Sequence, residues 1–222
     1  MSLKQSYFRY SISFAKIGAA RFIGHLDLQS LFQKAIKRAK LPIAYSEGFN
    51  PHQLLSFAAP LPLGMAGHME ILEVFLTQEV SREKIITSLQ EQLPEGIKIV
   101  GLMEVPSIGK SAAAIIRKAT YSIVFSEELN LEEIIQAVLN SKSIEVEKKS
   151  KKGISKADIR PDIHDIKVDS AHGIQAILAC GSERNLKPDV LARHILCIAG
   201  IVPENCDITY ERLTMGQEVP SL

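Results

Sequence analysis

The chain has 222 residues, of which 46% are hydrophobic and 23% charged, and a formal net charge of +1. This is the composition of an ordinary globular protein, long enough for one domain or two small ones with a real core, and it excludes any global electrostatic pull toward nucleic acid. The charge is unevenly spread, however: residues 1–68 carry eight Lys and Arg against Asp27 and Glu47, whereas residues 69–105 carry three against seven Glu.

The first predicted element is a strand over 7–16, where Phe8, Tyr10, Ile12 and Phe14 alternate with Arg9, Ser11 and Ser13. A helix follows over 25–40. At 100° per residue, Leu28, Leu31, Phe32, Ala35, Ile36 and Ala39 form one stripe, and Lys34, Lys37, Arg38 and Lys40 lie on the other side. Gly24 and His25 form its start, Asp27 lies in the first turn where the unpaired N–H groups favour a carboxylate, and Pro42 stops it. Residues 54–58 and 69–77 are strand candidates joined by a segment rich in Pro and Gly. Ser81 is placed to cap a helix running through Leu93 with Ile85, Ile86 and Leu89 inward, and residues 97–105 read as a further strand.

The order β-α-β-β-α-β is that of a ferredoxin-like unit. A second pass follows: strand 119–126, helix 129–140, a strand near 143–149, strands within 158–169 and 173–180, helix 187–199 and strand 205–213. The predicted class is therefore α+β, with two tandem ferredoxin-like (βαββαβ) halves. The predicted boundaries are 1–105, a linker or short connecting helix at 106–118, 119–215, and a tail at 216–222. A charge run at 145–156, with Lys148, Lys149, Lys151, Lys152 and Lys156, reads as a solvated hairpin tip turning near Gly153.

Residues 21–64 concentrate the unusual chemistry. The loop after the first helix holds Tyr45, Ser46, Glu47, Gly48, Phe49, Asn50, Pro51 and His52, although loops ordinarily carry small polar residues. Rings at Tyr45, Phe49 and His52 beside Lys34, Lys37 and Arg38 are the components of a single-stranded nucleic-acid platform, bases stacking on rings while cations hold phosphates. The competing account makes Tyr45 and Phe49 anchors that pin the loop to a sheet. Arg21 upstream of His25 and Asp27 is suited to an anion at the helix start, or to plain capping. His25 and His52 are also candidate acid–base catalysts for phosphodiester cleavage. His25, His52 and His68, with Asp27 or Glu47, have no tight metal spacing, so no metal is expected. Neither a GxSxG elbow nor a phosphate-binding glycine pattern occurs, so no nucleotide cofactor is expected.

The pieces RFIGHLDL, KAIKRAKLPIAYSEGFNPH and SFAAPLPLG resemble the signature of a bacterial family of unknown function, the radical-SAM-linked proteins, found beside or fused to radical-SAM proteins. The resemblance continues at ADIRPDI and NLKPDVL. It implies a radical-SAM partner and no settled activity. The chain is not expected to be the radical enzyme itself, because Cys180, Cys197 and Cys206 do not form the CxxxCxxC that holds its cluster. They read as buried thiols of a reducing cytoplasm, and with no signal peptide and no membrane-length apolar run a cytoplasmic protein without a membrane partner is expected. The leading expectation is an RNA-binding accessory protein, more readily a binder than an enzyme. The alternatives are an endoribonuclease using His25 or His52 and a protein adaptor without nucleic acid.

Overall fold

The computed structural model describes residues 7–150 and 153–216. It mixes helices and antiparallel strands and divides into two compact units, one ending at Ile116 and the other covering Arg117–Gly216.

In the first unit the elements are β1 (Phe8–Lys16), α1 (His25–Arg38), β2 (Leu55–Phe57), β3 (Ala66–Leu76), α2 (Arg82–Gln90), β4 (Ile97–Val105) and the single turn α3 (Ala112–Ile115). Its strands lie in the order β4-β1-β3-β2, each pair antiparallel, with Ile12 of β1 opposite both Leu72 of β3 and Leu102 of β4. The apolar stripe of α1 packs on this sheet through Leu28, Phe32, Ala35 and Ile36. The Phe14 ring meets Phe32 edge-on at 4.9 Å between centroids, and Ile85 and Leu89 of α2 complete the core. Each Leu, Ile or Phe among them contributes about 1.5–3 kcal/mol on full burial. Ser81 caps α2 through its hydroxyl, which accepts from the Lys84 N–H at 3.4 Å. α1 stops at Arg38, two residues before its predicted end, because Lys40 turns into the left-handed region at φ 53°.

The alternation read in β1 implies one wet face, and the structure differs. Arg9, Ser13 and Lys16 are buried along with the apolar positions, because β1 is a central strand whose polar side chains find partners inside the unit. Arg9 pairs with Glu73 of β3 at 2.5 Å and donates to the carbonyls of Lys110 at 2.9 Å and Pro106 at 3.3 Å. Glu73 in turn accepts from the Ala112 N–H at 3.1 Å. This buried pair fastens residues 106–112, the stretch read as linker or connecting helix, onto the sheet. Lys16 is likewise buried and donates to the Arg21 carbonyl at 3.0 Å.

The second unit contains β5 (Lys118–Phe125), α4 (Leu131–Asn140), β6 (Glu145–Ser150), β7 (Gly153–Asp158), β8 (Ile163–Ser170), β9 (Gly173–Ala179), α5 (Pro188–Ile198) and β10 (Ile208–Met215). Its sheet runs β10-β5-β9-β8, again antiparallel throughout. The strand expected near 143–149 is β6, which pairs with β7 in a separate two-stranded hairpin. Lys151 and Lys152 of the charge run lie outside the described residues.

The ADIRPDI segment has a structural explanation. Arg160 donates to the carbonyls of Leu139 at 3.0 Å, Ser141 at 3.2 Å and Ile163 at 2.9 Å, closing the C-terminal end of α4. Asp158 accepts from the backbone N–H groups of Ile144 at 2.8 Å and Arg160 at 3.0 Å, and these bonds hold its carboxyl below the usual range. Pro188 opens α5 as its first residue, where its missing N–H costs nothing. Cys180 and Cys206 are buried as read, but Cys197 is exposed, one residue beyond the inward stripe of Leu191, Ala192, Ile195 and Leu196.

Candidate nucleic-acid interface

Residues 44–54 fold into a clasped hairpin rather than an open loop. Leu54 donates its N–H to the Ala44 carbonyl at 2.8 Å, Tyr45 bridges Gln53, and the Ser46 N–H donates to the His52 carbonyl at 2.8 Å. Above this ladder the Ser46 hydroxyl accepts from the His52 N–H at 3.0 Å and sits 2.8 Å from His52 Nδ1. Gly48 turns the tip at φ 112°, a conformation that side-chain-bearing residues rarely adopt. At the base, the buried Gln53 donates to the Gln33 carbonyl of α1 at 3.2 Å, which leans the hairpin on that helix.

The clasp leaves the two rings unequally exposed. Phe49 at the tip is wholly exposed and anchors nothing, and Tyr45 is 46% exposed. Gln53 and the backbone ladder hold the hairpin without help from Phe49. His52 is part of the clasp, held against Ser46.

The basic side of α1 is less uniform than its sequence suggests. Lys34, Lys37 and Arg38 are all exposed, but Arg38 is tied to the segment after α2, donating to the Gln92 carbonyl at 2.8 Å and to its Oε1 at 3.3 Å. Lys34 and Lys37 follow Gln33, the residue that carries the hairpin base, by one and four positions. The eight cations of residues 1–68 also overstate the surface charge, since Arg9 and Lys16 are buried in the sheet. Among the described residues of that stretch, five exposed cations, Arg21, Lys34, Lys37, Arg38 and Lys40, face Asp27 and Glu47.

Arg21 ends a short 3-10 turn, Gly18–Phe22, with its guanidinium stacked 4.8 Å above the Phe22 ring. Gly24 is the N-cap of α1 and makes no side-chain cap. Asp27 folds back toward it, close enough that its Oδ2 would lie 3.2 Å from a Cβ at that position, so a carboxylate already occupies the helix start. An added anion there would meet that charge. His25 is exposed, its ring edge-on to Phe57 at 5.5 Å.

The two histidines make different contacts: His52 is held against Ser46 in the clasp, whereas the His25 ring meets Phe57. Among the described residues, no group of three His, Cys, Asp or Glu is placed to hold a metal ion. No helix among them is long and apolar enough to cross a membrane.

Three neighbours of the predicted residues escaped the sequence reading: Phe22, Leu26 and Leu63 are all strongly exposed. Phe22 and Leu26 sit inside an apolar-looking run, FIGHL, and periodicity alone assigns such residues to a core. The one available signal was that Leu26 falls off the stripe of Leu28, Phe32, Ala35 and Ile36.

A family model matches residues 9–188, described as an uncharacterized protein conserved in bacteria, DUF2344. The match spans most of the chain and both units, and the chain belongs to that family. The description assigns the family no activity and no partner. No curated protein matches the chain.

Proposed function

We propose that this protein binds single-stranded RNA on its first unit, as a non-enzymatic accessory to a radical-SAM partner that modifies or processes that RNA. The observation that carries the reading is Phe49, wholly exposed at the tip of a hairpin that is clasped by hydrogen bonds below it. A wholly exposed ring adds nothing to the stability of the unit and leaves both its faces open for stacking, and an unpaired base has a face of the right shape and size. Tyr45 offers a second ring on the same hairpin, and Lys34 and Lys37 are placed beside its base to meet phosphates. The radical-SAM partner rests on the resemblance of residues 21–64 alone.

The scaffold belongs to the same proposal. Each unit is taken as ferredoxin-like, a reading supported by the sheet order repeated in both, with the fourth strand beside the first and the third between the first and second. In the second unit the β6–β7 hairpin is an insertion between the first helix and the second strand of the sheet.

The test is RNA binding across a salt series with Lys34→Glu/Lys37→Glu alongside wild type. Arg38 is left intact because its bonds to Gln92 are structural. The charge reversal should weaken binding and reduce the salt slope by about 2, near one per lost phosphate contact. Equal affinity and slope in both proteins overturn the proposal.

A further inference from the structure

We infer that the bound strand spans two stacking stations, Phe49 on the hairpin and Phe22 beside the start of α1, so that the ligand is an unpaired RNA of roughly four to six nucleotides. This rests on the RNA reading above and extends it to a second station.

Phe22, Leu26 and Leu63 are 61%, 75% and 69% exposed. Phe22 adjoins the 63–64 turn: the Gly64 N–H donates to the Arg21 carbonyl at 3.0 Å, and a Cβ on Gly64 would lie 3.8 Å from the Phe22 ring. Together the three side chains expose on the order of 300–400 Å² of apolar surface about the start of α1. Arg21 lies over Phe22 at 4.8 Å, so this apolar surface carries its own cation.

The helix connects this patch to the hairpin. At 100° per residue, Leu26, Ser30, Gln33, Lys34 and Lys37 fall within a stripe about 100° wide on α1. The hairpin leans on that stripe at Gln33. From Leu26 to Gln33 the helix rises about 10 Å, so a ligand following it from Phe22 and Arg21 reaches the hairpin that carries Tyr45 and Phe49, with Lys34 and Lys37 on the adjoining turn. Rings at two stations, with Arg21 at the first and Lys34 and Lys37 beside the second, match a polyanion with planar faces between its charges. An acidic peptide satisfies the cations and leaves the rings bare, and a duplex hides the faces of its bases. Single-stranded RNA satisfies both.

The experiment measures fluorescence anisotropy of labelled oligouridylates of 2, 4, 6, 8 and 10 nucleotides and of a 10-base-pair duplex RNA, at one low salt concentration. The proteins are wild type, Phe22→Ala, Phe22→Trp and Phe49→Ala, each checked by thermal unfolding. Wild type should gain affinity up to about six nucleotides and then level off, and should bind the duplex much more weakly. Phe22→Ala should lose about five- to 150-fold on the six-nucleotide strand and flatten the gain with length, with Phe22→Trp restoring both. If Phe22→Ala binds the six-nucleotide strand as wild type does while Phe49→Ala is weakened, the RNA reading stands and the second station is overturned. If wild type binds no oligonucleotide, the RNA reading and this inference fall together. Duplex bound as tightly as single strand also overturns it.

Discussion

Glu73→Ala isolates the buried pair that holds the first unit to residues 106–112. Arg9 and Glu73 each expose only 5% of their side chains, so removing the carboxylate leaves a guanidinium in the interior with two carbonyls and no counter-charge. Breaking a buried pair this way costs about 3–5 kcal/mol. The Ala112 N–H loses its acceptor as well, adding about 1 kcal/mol. Against a total stability of about 5–15 kcal/mol that is a large fraction. At a urea dependence of about 2 kcal/mol per molar, the midpoint of the first unit should fall by about 2–3 M. The companion variant Arg9→Met/Glu73→Leu removes both charges and should recover most of that loss, because neither is left unpaired. The recovered protein should nonetheless be cut faster by trypsin at Lys110, whose carbonyl no longer has Arg9 as donor. A loss below about 1 kcal/mol in Glu73→Ala, or a double variant as unstable as the single, refutes the assignment of this pair as the fastener.

Phe49→Ala should leave the urea midpoint of the first unit unchanged, within about 0.5 kcal/mol, since a wholly exposed ring has no burial to lose; a larger drop measured by denaturation would mean that the ring is packed. In the second unit, burial raises Tyr121 to about 12 and Tyr210 to about 12. Their unfolded values lie near 10, so the unfolded chain ionises first. Stability from these groups is therefore full below about pH 10 and is lost as pH rises toward 12. Phenolate absorbance should show a late step near pH 12 that loses one tyrosine's amplitude in each of Tyr121→Phe and Tyr210→Phe.

Periodicity carried the helices well. The stripe of Leu28, Phe32, Ala35 and Ile36 packs as its spacing requires, and Ser81 caps where a serine before a helical pattern should. Periodicity reports which face of an element is apolar, not what covers the other face, and so the burial of Arg9 and Lys16 on β1 was not readable. Their partners, Glu73 and the 106–112 and Arg21 carbonyls, come from segments distant in sequence or from loops. The candidate site shows the same limit. Tyr45, Phe49 and His52 stood out as residue types, but whether rings in a loop anchor or project depends on contacts such as Gln53 to Gln33 and Ser46 to His52, which no local pattern encodes. Phe22, Leu26 and Leu63 were passed over for the opposite reason, because apolar residues beside a helix start are ordinarily interior.

The measurement closest to the central claim is ultraviolet crosslinking of the protein to a six-nucleotide oligouridylate, with the crosslinked peptides located by mass spectrometry. RNA held by the clasped hairpin should crosslink within residues 45–53, through Phe49 and Tyr45, and that signal should disappear at high salt and in Phe49→Ala. Crosslinks confined to the second unit, or no crosslink at salt low enough for basic proteins to bind RNA, would contradict the account.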